Sequence, residues 1–286
     1  MARDSFGAGD VLVITGASSG IGRGLALAGA ERGATLVLAD INEVGLADTA
    51  ERVRDRAGAV STHVVDVSDR DAVIDVAATV EERHGAVRGL FNNAGVAMAG
   101  LVTEQTYEDI DWVLDINLMG VINGTQAFLP LLIASGRGHV VNVSSIFGLV
   151  GMPLHSIYCA SKFAVRGYTE AISMDFEMER LPVQAHAVHP GGIKTNIAAS
   201  ARPAPGRSSD GFQELFNMVT TTSAERAGER IMKGTESGQR RIHVGVDARL
   251  MHLAERLSGS RYQPITSAIA RRVLALTRAD EDAAGP

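Results

Sequence analysis

A doubly wound parallel sheet with helices on both faces, in three α/β/α layers, is the fold class this 286-residue sequence predicts. Three observations predict it. Short aliphatic runs, apolar on both faces, alternate with longer stretches of helical period from Val11 to Gly245. The first run opens into a glycine-rich turn and then a helix. No Pro/Gly/Ser-rich linker interrupts the alternation before residue 200, so a single domain is expected over 1–286. Right-handed crossovers then put a ligand crevice at the carboxyl ends of the strands.

The elements follow in order. Val11–Thr15 is a buried strand, and helical period runs from the glycine turn to Arg32. Thr35–Ala39 is the second strand, closed by Asp40. The alternation predicts a helix near 43–56, strand 60–66, helix 69–83, strand 87–92 and helix 107–133. Strand 138–144, helix 157–180 and strand 183–189 complete a core of about 10–245, with helix 223–236 and a short seventh strand at Arg241–Gly245. Between them, residues 196–222 carry Pro203, Pro205, Gly206 and Gly211, then Phe212, Leu215, Phe216 and Met218. They read as a mobile substrate loop with a short helix. A helical extension is expected over about 246–279 and a disordered tail over 280–286.

Composition narrows the function classes. A net charge of −6 without a basic stripe argues against nucleic acid as a partner. One cysteine, Cys159, excludes an intrachain disulfide framework and fits a reducing compartment. Beside Tyr158 it is open between core packing on the far helix face and redox control. Met1–Asp10 lacks the apolar stretch of a secretory signal, and no 18 apolar residues run together, so a soluble cytoplasmic chain is expected. His186 and His189, at i and i+3 of a strand, face opposite ways, and no other His/Cys/Asp/Glu pattern suggests a metal. The acid pairs Glu81-Glu82 and Asp109/Asp111 read as solvated helix faces, and Trp112 as packing.

Gly16, Gly20 and Gly22 follow the first strand and open the first helix. The first permits a sharp turn, the second lets backbone approach a pyrophosphate, and the third lets helix pack on strand. Helix-start amides then face the anion. The spacing is Gly-x3-Gly-x-Gly rather than GxGxxG, but its place after a strand gives it weight. Asp40, closing the second strand, can accept hydrogen bonds from the ribose hydroxyls of NAD and would repel the 2′-phosphate of NADP. Ser19 and Ile41 offer no cation to hold that phosphate, so NAD is favoured.

Tyr158 and Lys162 fall at i and i+4 on one helical face, with Ser145 thirteen positions upstream. A phenol of pKa about 10 is a poor base at neutral pH. A cation about 4 Å away, in an effective dielectric of about 20, favours phenolate by roughly 4 kcal/mol before desolvation is subtracted. That is about three pH units, enough to prepare the tyrosine for proton transfer. An isolated pair at this spacing is ordinary helix surface.

Set beside one another, these pieces form a pattern. Thr15-Gly-Ala-Ser-Ser-Gly-Ile-Gly22, Asp66-Val67, Asn92-Asn93-Ala94-Gly95, Asn117, Ser145, Tyr158-x3-Lys162 and Pro190-Gly-Gly-Ile-Lys-Thr195 occur in that order. Over about 1–245 the chain resembles the short-chain dehydrogenase/reductase family. The resemblance implies a Rossmann-type fold and an NAD(H)-dependent oxidoreductase that interconverts a secondary alcohol and a ketone. Gly16, Ser18, Ser19, Gly20, Ile21 and Gly22 would line the cofactor, Asp66 would contact the adenine with Val67 nearby, and Asn92, Asn93, Ala94 and Gly95 would form a turn beside it. Pro190, Gly191, Ile193 and Thr195 would border the nicotinamide. By the same resemblance Asn117 kinks its helix and holds a water, Ser145 polarises the substrate oxygen and Tyr158 exchanges the proton. Lys162 holds the nicotinamide ribose and lowers the tyrosine pKa. The spacing selects Ser145 over Ser144, and Ser161 reads as structural. Retention of the whole set favours catalysis over an NAD-sensing regulator or scaffold, and a methyltransferase would leave the YxxxK unused.

The chain departs from the family after the seventh strand, where it continues to Pro286 instead of ending in a Gly-rich, apolar tetramer tail. Leu250, Leu253, Ala254 and Leu257 form one apolar stripe, and Ile265, Ile269, Val273 and Leu276, flanked by Arg271, Arg272 and Arg278, form a second. Packing beside the cleft, a dimer face and a membrane-surface contact all remain open, and self-association as a dimer or tetramer is expected. Val96, Ala97, Met98, Ile146, Phe147, Leu149, Val150, Met152, Leu154, Phe212, Phe216 and Met218 point to a hydrophobic alcohol or ketone, steroid-, terpenoid- or lipid-like, although half of them could instead fill the core. His155 reads as an exposed loop residue or a substrate contact.

Overall fold

The structure is a computed structural model that describes residues 4–195, 197, 201–203 and 222–272. Seven strands make one parallel sheet: β1 (Val11–Thr15), β2 (Thr35–Asp40), β3 (Ala59–Val64), β4 (Gly89–Asn92), β5 (Gly138–Val143), β6 (Val183–Pro190) and β7 (Arg241–Val244). Their order is β7-β6-β5-β4-β1-β2-β3. It reverses between β1 and β4, and a crevice opens at that switch point. The helices are α1 (Gly20–Ala30), α2 (Glu43–Val53), α3 (Arg70–His84), α4 (Tyr107–Leu114), α5 (Gly120–Ala134), α6 (Ser156–Met178), α7 (Ala224–Glu236) and α8 (Val246–Ser258).

The two-residue period of the strands separates two cores. Leu12, Ile14, Leu36 and Leu38 enter one with Leu25 of α1, Leu46 of α2 and Ile231 of α7. Val11, Val13, Val37 and Ala39 enter the other with Val80 of α3, Phe128 of α5 and Phe176 of α6. Strands buried on both faces have no polar side to show, which is why they read as continuous apolar runs. The edge strand β3 is the exception, with Val64 exposed. It stops two residues before the expected position because Asp66 turns to accept hydrogen bonds from Ser68 N and Oγ.

The expected helix 107–133 is interrupted. Asp115–Met119 forms a π turn between α4 and α5, with Asn117 fully buried inside it. By length and by the mean hydropathy of its most apolar stretch (1.4) the run Tyr107–Ala134 could cross a bilayer, although it contains no unbroken run of 18 apolar residues. Half of that 18-residue stretch is buried in the fold, as befits a core helix. Asp109 is more than a solvated acid: it closes a capping box with Thr106 at the start of α4.

In the extension, α8 is followed by a helical stretch over 262–272. Its orientation is the reverse of an ordinary surface helix. Ala248 is buried, while Val246, Leu250, Leu253 and Leu257 face out, Leu257 at 79 % exposure. Ile265 and Ile269 are exposed as well, and Val273 and Leu276 lie outside the described residues. Of the expected substrate loop, Arg202–Pro203 pairs with Met98–Ala99, and Thr222–Ser223 with Ile193–Lys194. Phe212, Leu215, Phe216 and Met218 lie outside the described residues, as does the tail 280–286.

Candidate active site

The first wall of the crevice is the turn from β1 to α1. Gly16 takes φ +66° and packs so closely on Asn93 and Ala94 that a Cβ would stand 2.8 Å from each. A Cβ on Gly22 would collide with Gly16 O, so α1 lies against the turn itself. Ser19 caps α1 without a side-chain hydrogen bond and the first turn has no acid, leaving those amides to an anion. Ser18 N and Asn42 N each donate to one oxygen of Asp40 at 2.9 Å, which fixes that carboxylate at the tip of β2 beside the turn. Arg23, the cation at this end, is engaged by Ser18 O, Thr49 Oγ1 and Asp48.

The strand ends supply the second wall. Asn93 Nδ2 donates to Thr15 O and Gly16 O, and Thr15 Oγ1 accepts from Asn93 N and Ala94 N, tying β4 to the glycine turn. Asn92 faces away: its Nδ2 donates to Asn142 Oδ1 at 2.9 Å and Thr125 Oγ1 at 3.1 Å in a fully buried network. It braces strands, and Asn93 does the bridging. Asn123 Nδ2 holds Val67 O at 3.0 Å. At the end of β6, Pro190 pairs with Val244, and Ile193 just beyond is buried. Thr195 lies across the crevice mouth, 3.2 Å from where a Cβ of Gly20 would stand.

The acid–base group sits at the ends of β4 and β5. Asn117 Oδ1 accepts from Val96 N at 2.7 Å, and its Nδ2 donates to Val96 O and Ser161 Oγ. Gly95 passes against Asn117 and Lys162 together, within about 3 Å of each at its virtual Cβ. Ser144 Oγ donates to Lys162 O, so it is structural, whereas Ser145 Oγ accepts from Phe147 N and its hydroxyl draws the Tyr158 pKa downward. His189, which the sequence offered only as a non-ligand, donates its Nδ1–H to Ser145 O at 3.1 Å and supports that serine from beneath. Burial holds its pKa down to about 4, so the imidazole is neutral and can serve as a fixed donor.

Tyr158 and Lys162 share a buried face of α6, at 8 % and 3 % exposure. Their electrostatics differ from the expectation. Burial pushes the Tyr158 hydroxyl up to about 12, against a downward pull from the Ser145 hydrogen bond. Burial also pushes Lys162 down to about 8. Nζ lies 5.8 Å from the centre of the tyrosine ring and donates to Val143 O at 3.1 Å. Desolvation therefore outweighs ion–phenol attraction here. Ala97, Ala201, Phe147 and Ile197 enclose the tyrosine in apolar surface.

Three further expectations are revised or resolved. His155 is buried, with Nδ1 2.9 Å from Pro153 O and its ring edge-on to Phe147, because the loop folds back to start α6. Cys159 packs inward with Sγ towards Val150 O, and burial pushes its thiol pKa up, which makes it a core residue. Met98, Ile146, Leu149 and Val150 are buried, so part of the expected apolar lining is core. Among the described residues, no three His, Cys, Asp or Glu side chains are placed to hold a metal.

The glycine cradle, the uncapped start of α1 and an acid at the tip of β2 fit a dinucleotide. Comparison with known proteins agrees. The family model described as short chain dehydrogenase matches residues 10–206. SadH of Mycobacterium tuberculosis, named as an oxidoreductase, is 44 % identical over 261 residues, covering 91 % of this chain and 95 % of SadH. The 3-oxoacyl-[acyl-carrier-protein] reductase FabG of Thermotoga maritima is 37 % identical over 187 residues, 65 % of this chain and 75 % of FabG. A crystal structure of a short-chain dehydrogenase/reductase from Burkholderia phymatum in complex with NAD superposes with a TM-score of 0.80 at 32 % identity, covering 94 % of this chain and 97 % of that one. The chain thus belongs to the short-chain dehydrogenase/reductase family, as an oxidoreductase on an NAD(P)-binding Rossmann fold.

Proposed function

We propose that this oxidoreductase interconverts a hydrophobic secondary alcohol and its ketone with NAD(H), and that Tyr158 is the general acid and base. The observation that carries the reading is the meeting of Ser145, Tyr158 and Lys162 under an apolar wall at the mouth of the glycine crevice. When bound, the nicotinamide supplies or accepts the hydride. Ser145 Oγ and Tyr158 Oη hold the substrate oxygen as preorganised donors. In reduction the tyrosine gives its proton to that oxygen, and in oxidation it takes the proton back. The proton it keeps at neutral pH sets the free chain for donation. Behind it Asn117 Nδ2 donates to Ser161 Oγ, which in turn donates to the backbone carbonyl of Tyr158, and Lys162 is buried alongside.

Asp40 favours NAD: its charge is fixed beside Ser18, where a 2′-phosphate would be repelled. The apolar surroundings of Tyr158 suit a steroid-, terpenoid- or lipid-like substrate. The exposed stripe of α8 would be covered in a homo-oligomer, and a buried free thiol suits the cytoplasm. A panel of hydrophobic secondary alcohols, read as NADH absorbance, tests the reading. Tyr158→Phe is expected to lower turnover by about 100- to 10,000-fold with NAD binding intact. Near-normal turnover in that variant would overturn the assignment.

A further inference from the structure

The C-terminal extension reaches back to the crevice through one carboxylate, beyond the residues that the family model matches. Asp247 lies in the first turn of α8, and its Oδ2 accepts a hydrogen bond from Gly192 N at 2.5 Å. Backbone encloses it: a Cβ on Gly191 or on Gly245 would collide with the carboxylate. Gly245 has φ +100°, where a side chain is strained in any case. Gly191 N meanwhile donates to Val244 O at 2.9 Å. Both amides of the Gly191–Gly192 pair are therefore held, one by β7 and the other by Asp247.

The second carboxylate oxygen, Oδ1, is buried and has no hydrogen-bond partner among the described residues. Burying half a carboxylate unmatched is unfavourable, so helix capping alone does not account for the placement. What the carboxylate holds is the turn that carries Thr195 across the mouth of the crevice, against Gly20. Two residues separate Gly192 from Thr195, and these, Ile193–Lys194, pair with Thr222–Ser223 ahead of α7. A displaced Gly192 would shift this whole border relative to the glycine turn.

We infer that Asp247 is a positioning residue for the dinucleotide: it pins the Gly191–Thr195 turn opposite the glycine loop and so sets cofactor affinity. The inference rests on the dehydrogenase reading above. Its test is calorimetric titration of NAD into the full chain and its variants without substrate, alongside the unfolding temperature of each free protein and steady-state KM and kcat. Asp247→Ala is expected to weaken NAD binding about tenfold or more, the equivalent of one hydrogen bond to a charged group. KM for NAD should rise with it, while kcat changes less than about threefold. Asp247→Asn, whose amide oxygen can still accept from Gly192 N, should restore affinity to within about threefold of the parent. Gly245→Ala, which crowds the carboxylate from the other side and lies outside the cofactor border, should reproduce the loss and decides the matter if Asp247→Ala does not fold. Variants that melt earlier but bind NAD like the parent would overturn the inference and leave the dehydrogenase reading standing. A parent chain that binds no nicotinamide dinucleotide would overturn both.

Discussion

Replacing Lys162 by methionine is expected to stabilise the protein at neutral pH while ending its activity. The ammonium is buried, donates to Val143 O, and has no carboxylate paired with it among the described residues. Its pKa falls from 10.5 to about 8 on folding. Between those values the unfolded chain holds the proton and the folded chain does not, so stability rises with pH across that window. At pH 7 the folded state carries the full penalty. A gap of about two and a half pH units, at about 1.4 kcal/mol each, comes to about 3 kcal/mol. Methionine leaves Val143 O without its donor, which costs about 1 kcal/mol, so the net gain is about 2 kcal/mol. Urea unfolding of both proteins at pH 7, 8, 9 and 10 measures it. The advantage should be largest at pH 7 and vanish near pH 10, where the parent lysine has already lost its proton. A variant less stable than the parent at pH 7, or a difference that stays flat with pH, would refute the reasoning.

Two other outcomes are expected besides those for Tyr158 and Asp247. Asp40→Ala should lower kcat/KM with NAD by about tenfold, the worth of one such hydrogen bond, and narrow the gap to NADP, read from initial rates with each cofactor. An unchanged cofactor ratio would count against the ribose role. Leu253→Glu with Leu257→Glu should shift the chain to monomer in sedimentation velocity with an unaltered circular dichroism spectrum, because two charges on the exposed stripe of α8 cannot be buried between subunits. An unmoved sedimentation coefficient would exclude that face as the contact.

The sheet was legible in the sequence because its strands, the edge strand β3 apart, are buried on both sides and its helices on one, so period separates them. Tyr158 and Lys162 were legible as face-mates for the same reason. Spacing assigns a helix face but no rotamer, and the ammonium lies against the ring and Val143 O, where burial governs both groups. Asn92 ends β4 and Asn93 follows it, and alternation sends the first into the core and the second to the glycine turn. The stripe of α8 has a correct period and an outward direction, since period cannot say which side meets the protein. Asp247 left no signal, because its partner Gly192 lies 55 residues away and is a backbone amide.

The wide turn at Asp115–Met119 ties chain length to chemistry. Deleting any one of its residues would let α4 and α5 run on as a single regular helix, rotated downstream by about 100° about its axis. Val121, Phe128 and Leu132, now buried, would swing towards solvent, or else Asn117 would be turned off Val96 and Ser161. Neither half can be kept in register without the extra residue. Single-residue deletions within this stretch should therefore be lost from any library selected for function, whereas the exposed bend at Gly85, with open space around it, should accept them.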